Sequence, residues 1–232
     1  MQKRMVRKLD LEIEISKIAP HPSPTAYLEQ YAVTPEIAAQ MLYMAAYVHD
    51  HIVDKRVVDL GCGTGRLAIG SALLGAKEVV GVDIDRQATA IAMKNAERLG
   101  MKEKIQWITA DIVAVTGDFD TVLQNPPFGV QRRNADRKFI QKALEIAENI
   151  YSLHKSSKEN RKWINKLRNN RNQLVQTLPS PFLRRLVEKY GGETMAVYTM
   201  LMTIPHTFYF HRKSEHKFLV DIYVIKRCAS SS

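Results

Sequence analysis

From Arg56 to Gln124 the chain alternates between short apolar runs and stretches of helical periodicity. The runs are RVVDL, EVVGVD, KIQWIT and FDTVLQ, and they end in glycines, acids or an amide. Between them, RLAIGSALLGA and RQATAIAMKNAERLG carry apolar residues at three- and four-residue steps and stop at Gly75 and Gly100. Parallel strands need crossover helices, and strands covered on both faces read as unbroken apolar runs. The alternation therefore predicts an α/β, doubly wound, mostly parallel sheet with helices on both faces. Residues 136–148 predict one more helix and IYSLH a fifth strand. TMAVYTMLMTI and KFLVDIYVIKR predict two antiparallel strands that close the sheet, seven in all, with an antiparallel strand at the C-terminus.

The flanks are helical. Met5, Val6, Leu9 and Ile13 predict a helix over residues 1–18, and HPSP at 21–24 ends it. Thr34 offers a cap, Pro35 suits the first helical position, and Ile37, Ala38, Met41, Leu42, Ala45 and Val48 form one apolar face. Residues 158–178, with Trp163, Ile164, Leu167, Leu174, Val175 and Leu178, predict a further helix among basic residues, broken by PSP at 179–181. FLRRLVEKYGG predicts a helix with a glycine stop. The whole reads as a single domain over 1–232, with an N-terminal helical segment at 1–50 and a basic helical insertion at about 157–181.

Composition narrows the setting. No apolar stretch approaches the roughly 18 residues of a membrane span, and the N-terminus has no signal-peptide core. Cys62 and Cys228 give neither a disulfide framework nor metal spacing, so no metal is expected and a reducing, cytoplasmic location is. The +10 net charge is segregated: residues 132–213 hold 17 Lys and Arg against 6 Asp and Glu, whereas residues 1–131 are net −2. A basic half of this kind suits a polyanion. A solvated basic face is the plainer reading.

The chemistry-bearing residues fall at strand ends, where open α/β sheets bind ligands. In DLGCGTG, glycines at 61, 63 and 65 allow a tight turn and close approach of a ligand to backbone. Alone the motif is weak, because a dinucleotide fingerprint wants GxGxxG and Arg66 stands where its third glycine would. Asp83, 22 residues after Gly61, can accept both hydroxyls of a ribose, and Asp111 can bond an adenine amino group beside Ile112. Helix capping is the structural alternative for both aspartates. In NPPF, Asn125 Oδ1 and the Pro126 carbonyl provide two acceptors for the two hydrogens of an NH2 group. Pro126 and Pro127 stiffen the corner, and Phe128 can stack on a base. A positively charged methyl sulfonium donor fits such a corner, which needs placement more than a base.

Together DLGCGTG, GVDID, TADI and NPPFG resemble class I S-adenosylmethionine-dependent methyltransferases with a Rossmann-like sheet that act on amino nitrogens. LEQYAVTPEIAAQMLY, NPPFG and IYSLHKSS are similar to the methyltransferase-like protein five family, over residues 1–158 and again at FYFHRK and VDIYVIKR. The resemblance implies methylation of N6 of an adenosine in small-subunit ribosomal RNA. It implies that Gln30 and Thr34 reach the methionine part of S-adenosylmethionine, and that the cofactor is further held by Asp59, Gly61, Gly63, Thr64, Gly65, Asp83, Ile84, Asp111, Ile112 and Asn125. Asn125, Pro126, Pro127 and Phe128 would take the target base. It also implies a small zinc-containing activator protein of the Trm112 type as a possible partner. Residues 157–181 depart from the family pattern.

Two other readings compete. A glutamine side chain of a release factor offers the same NH2, and NPP before an aromatic would serve it, but little chain precedes the first strand to form the helical N-terminal domain usual in those enzymes. Amino groups of other bases in RNA or DNA are nearer alternatives. An RNA-binding module with a degenerate cofactor pocket is disfavoured by the intact glycines and by Asp83 and Asn125.

Overall fold

The computed structural model describes residues 5–24, 32–127, 135–157, 167, 173–205 and 215–229. In chain order the main elements are α1 (Lys8–Ser16), α2 (Pro35–Tyr43), β1 (Arg56–Leu60), α3 (Arg66–Leu73), β2 (Glu78–Asp83), α4 (Arg86–Arg98), β3 (Ile105–Thr109) and β4 (Phe119–Gln124). They continue with α5 (Ala135–Ile146), β5 (Ala147–Lys155), β6 (Val175–Thr177), α6 (Pro181–Lys189), β7 (Gly192–Pro205) and β8 (Glu215–Arg227). One sheet runs β3-β2-β1-β4-β5-β8-β7-β6. The first five strands in that order are parallel, and β8 lies antiparallel between β5 and β7.

Alternate residues of each strand feed opposite cores. Val57, Val79, Leu123 and Tyr151 pack with α1, α2 and α3. Their neighbours Val58, Val80, Val122 and Ile150 pack with α5 and α6. Both faces are covered over β1, β2, β4 and β5, which is why these strands carry continuous apolar runs. Among the described residues no helix is long and apolar enough to cross a membrane.

Four expectations need correction. The sheet has eight strands rather than seven. The extra one, Val175–Thr177, pairs antiparallel with β7 where a helix over 158–178 was expected; backbone pairing with the free edge of β7 overrides a helical pattern that ends there. Of the rest of that helix, Leu167 is helical and buried, while Trp163 and Ile164 lie outside the described residues. Helix α1 forms, but it buries Leu11 and Ile15 and leaves Leu9 and Ile13 exposed. Two apolar stripes compete on this helix, and the one that meets Leu42 and Gly70 is the one buried. Val48 is 65% exposed, because a π-helical turn at Met44–Val48 rotates it off the α2 face.

Candidate active site

The register of the sheet brings the motif residues to one rim. Leu60 lies opposite both Val82 and Gln124, and Asp83 lies opposite Thr109. The glycine loop, Asp83, Asp111 and Asn125 therefore leave adjacent strands at nearly the same height. Gly61, Gly63 and Gly65 have φ of 72°, 52° and 95°. The loop hangs on β2 through Gly61 N–H and Cys62 N–H, which both donate to the Val82 carbonyl, at 2.8 and 2.9 Å. Where a Cβ on Gly63 would point there is no atom within 4 Å, so the loop faces open space there. At Gly65 a Cβ would stand 2.7 Å from the Trp107 ring.

Each aspartate does structural work. Asp83 Oδ2 accepts from Gly63 N–H at 2.8 Å and Oδ1 from Asp85 N–H at 2.9 Å. A carboxylate has about four acceptor positions, so these bonds do not exhaust it. Burial raises the Asp83 pKa, against the opposing pull of those N–H groups. Helix α4 is capped by Asp85, whose Oδ1 accepts from Gln87 and Ala88, and not by Asp83. Asp111 does cap, accepting from Val113 N–H at 3.1 Å, while remaining exposed. Ile112 beside it is buried in the α5 and α6 core, and Ile84 is 52% exposed.

Two expected roles change. Asp59 is 1% exposed and its Oδ2 accepts from Ala68 N–H at 3.0 Å, so it anchors α3 from beneath the loop rather than facing outward. Its Oδ1 has no partner, and burial pushes its pKa up to about 8. Thr34 precedes α2 without capping it, and its Oγ1 is buried with no hydrogen-bond partner. Thr64 is buried, 7% exposed, and contributes its carbonyl to Asn95. Burial likewise raises the Cys62 thiol, in keeping with an inert residue. Gln30 and Phe128 lie outside the described residues.

At the Asn-Pro-Pro corner, Asn125 and Pro127 are half-buried and Pro126 is buried. Beneath it runs a polar chain that the sequence reading missed. Gln124 Nε2 donates to Ser152 Oγ at 2.9 Å, and Ser152 Oγ lies 2.7 Å from His154 Nε2. Having accepted from Gln124, Ser152 has its one proton left to donate to a neutral His154. Burial supplies that state by lowering the His154 pKa to about 3. His154 stacks edge-on against Tyr223, whose hydroxyl accepts from Ser180 N–H at 2.8 Å. At 5% exposure His154 serves this internal chain and does not face outward. Polar residues at alternate positions of an otherwise apolar strand were the available signal. A second missed residue, Asn95, joins three elements: it exchanges hydrogen bonds with the Ala19 backbone and donates to the Thr64 carbonyl, each at 3.1 Å.

Sheet order, a glycine loop after β1, an acid after β2 and an amide corner after β4 define a methyltransferase of the Rossmann-like class. The family model for ribosomal protein L11 methyltransferase (PrmA) matches residues 40–126. METTL5 of Danio rerio, an rRNA N(6)-adenosine-methyltransferase, is 39% identical over 64% of this chain and 74% of its own. Protein MJ0284 of Methanocaldococcus jannaschii is 35% identical over 96% of this chain and 95% of its own. The crystal structure of PH1948 from Pyrococcus horikoshii superposes with a TM-score of 0.80 at 34% identity, covering 97% of this chain and all of that one. The chain belongs to the METTL5 family of methyltransferases.

Proposed function

We propose that this chain transfers a methyl group from S-adenosylmethionine to N6 of an adenosine in ribosomal RNA, in the small subunit. The carrying observation is the register of β1 and β4, which sets the glycine loop beside the Asn125–Pro127 corner. The residues present fit the cofactor: open space over Gly63, and an Asp83 carboxylate with acceptor positions to spare. When bound, S-adenosylmethionine supplies an electrophilic methyl group on a sulfonium. Asp83 would accept hydrogen bonds from the ribose hydroxyls, Asp111 with Ile84 and the backbone of Ile112 would border the adenine, and the Gly61–Gly65 backbone, with Thr34 and Gln30, would border the methionine end. Asn125 Oδ1 and the Pro126 carbonyl accept the two N–H hydrogens of the target amine, turning its lone pair toward the methyl carbon. The proton lost after transfer passes to solvent, since a carboxamide is no base.

The RNA would lie across α5 and α6. Arg137 stacks on the exposed Phe182 ring at 5.4 Å, and Arg184, Arg185 and Lys189 are exposed nearby on the same helix as Phe182. A cytoplasmic location accords with that substrate. The deciding experiment is methyl transfer from labelled cofactor to ribosomal RNA and subunits, with release factors as the competing substrate. RNA should be labelled and Asn125→Ala should abolish that labelling; labelling of release factor instead would refute the reading.

A Trm112-type activator would sit on the β3 edge, where Ile108 and Val113 are exposed at 42% and 53%. Full activity of the lone chain, unchanged when these residues are made polar, would exclude it.

A further inference from the structure

Arg66 opens helix α3 immediately after the glycine loop. One guanidinium N–H donates to the Val33 carbonyl. The Arg66 Nε is buried and has no hydrogen-bond partner among the described residues. No carboxylate among the described residues forms an ion pair with it. Burial lowers its pKa with no neighbouring charge acting in the other direction. A guanidinium has five N–H donors, and a cation held partly away from water is costly unless an anion pairs with it. Thr34, which follows Val33, also carries a buried hydroxyl with no partner among the described residues. On the far side of the loop the groups are acidic: Asp83 ends β2 and Asp111 follows β3, the two strands beyond β1. The rim is thus polarised, with, at the α3 end, a cation that no carboxylate among the described residues pairs, and carboxylates toward β3.

We infer that Arg66 is the residue that pairs with the α-carboxylate of the cofactor's methionine, with the Thr34 hydroxyl as a second donor. The Val33 carbonyl holds the guanidinium in place before the ligand arrives. The carboxylate is the one anionic group on S-adenosylmethionine, and a planar fork matches it with two parallel hydrogen bonds. The same charge separation fixes the direction of the ligand, carboxylate toward α3 and ribose toward Asp83. The inference rests on the cofactor assignment and is independent of which nucleic acid or protein is methylated.

The test compares two ligands by calorimetry. S-adenosylhomocysteine has the carboxylate; 5′-methylthioadenosine has the same nucleoside and thioether without it. Arg66→Gln should weaken S-adenosylhomocysteine by about 10- to 100-fold, the range for a hydrogen bond to a charged group. It should leave 5′-methylthioadenosine within about 2-fold, and that retained binding also shows the variant to be folded. Arg66→Lys, which keeps the charge and loses the fork, should fall between. Equal weakening of both ligands, or none of either, overturns the inference. Absence of S-adenosylhomocysteine binding to the unaltered protein would overturn the cofactor assignment with it, whereas failure to methylate RNA would leave the result standing.

Discussion

Gly63 and Gly65 are two residues apart in one loop, and replacing each by alanine should do different things. Both have positive φ, 52° and 95°, where a non-glycine residue costs about 1–2 kcal/mol. At Gly65 the new methyl would also lie 2.7 Å from the Trp107 ring and 3.2 Å from Ala92 and Ile69. Overpacking of that kind costs about 1–3 kcal/mol, so Gly65→Ala should lose about 2–5 kcal/mol in total. At Gly63 nothing stands within 4 Å of the added methyl, and only the backbone term of about 1–2 kcal/mol applies. In urea, with a slope of about 3 kcal/mol per molar, the Gly65 variant's midpoint should fall by about 1 M and the Gly63 variant's by about half as much. Calorimetry with S-adenosylhomocysteine should then show that the more stable Gly63 variant has nonetheless lost affinity, since its methyl enters the open space over the loop. A Gly65→Ala protein within about 0.5 kcal/mol of the parent would refute the packing argument. A Gly63→Ala protein with unchanged affinity would place the ligand elsewhere.

Three further outcomes are expected. Asp59 titrates near 8 in the fold against an ordinary 3.8, so its contribution is complete below pH 3.8 and is lost as pH rises through 8. Asp59→Asn keeps an acceptor for Ala68 N–H and should gain stability relative to the parent between pH 4 and 8; a constant difference across that window in denaturation curves would contradict this. His154 titrates near 3 against an ordinary 6.5, so its contribution is present above pH 6.5 and fades as pH falls toward 3. At 1.36 kcal/mol per unit that amounts to about 5 kcal/mol, and His154→Gln should flatten the acid limb of the stability profile; an equally steep limb would rule it out. Arg137→Glu with Arg185→Glu should weaken RNA binding and make its salt dependence shallower by about two units of slope without changing cofactor affinity; an unchanged slope would move the RNA to another face.

The parallel half of the sheet was legible in the sequence because burial on both faces leaves few polar residues in a strand to blur it. Val57–Leu60, Val79–Val82 and Thr121–Leu123 could hardly be anything else. The rim was legible because glycine and proline restrict backbone in ways that read locally. Partner choice between elements was not. Leu9 and Leu11 are equally good helix-face residues by spacing, and only the position of α2 and α3 decides which is buried. Residues 175–177 become a strand through pairing with Tyr198 and its neighbours some twenty residues on, which no local pattern records. Asp59 and Asp83 look alike as strand-end acids. What distinguishes them is that Asp59, still within β1, points under α3, whereas Asp83 closes β2 at the rim.

Asn95 gives the first twenty residues a standing they would otherwise lack. Its carboxamide is clamped to Ala19 by two hydrogen bonds while its second amide hydrogen supports the Thr64 carbonyl. Trimming the chain to begin beyond residue 20 would preserve every glycine of the loop. It would nonetheless strip Leu11, Ile15 and Ile18 from the core and release the amide that steadies one of its carbonyls, so a shortened protein should be less stable and should also grip the nucleoside loosely.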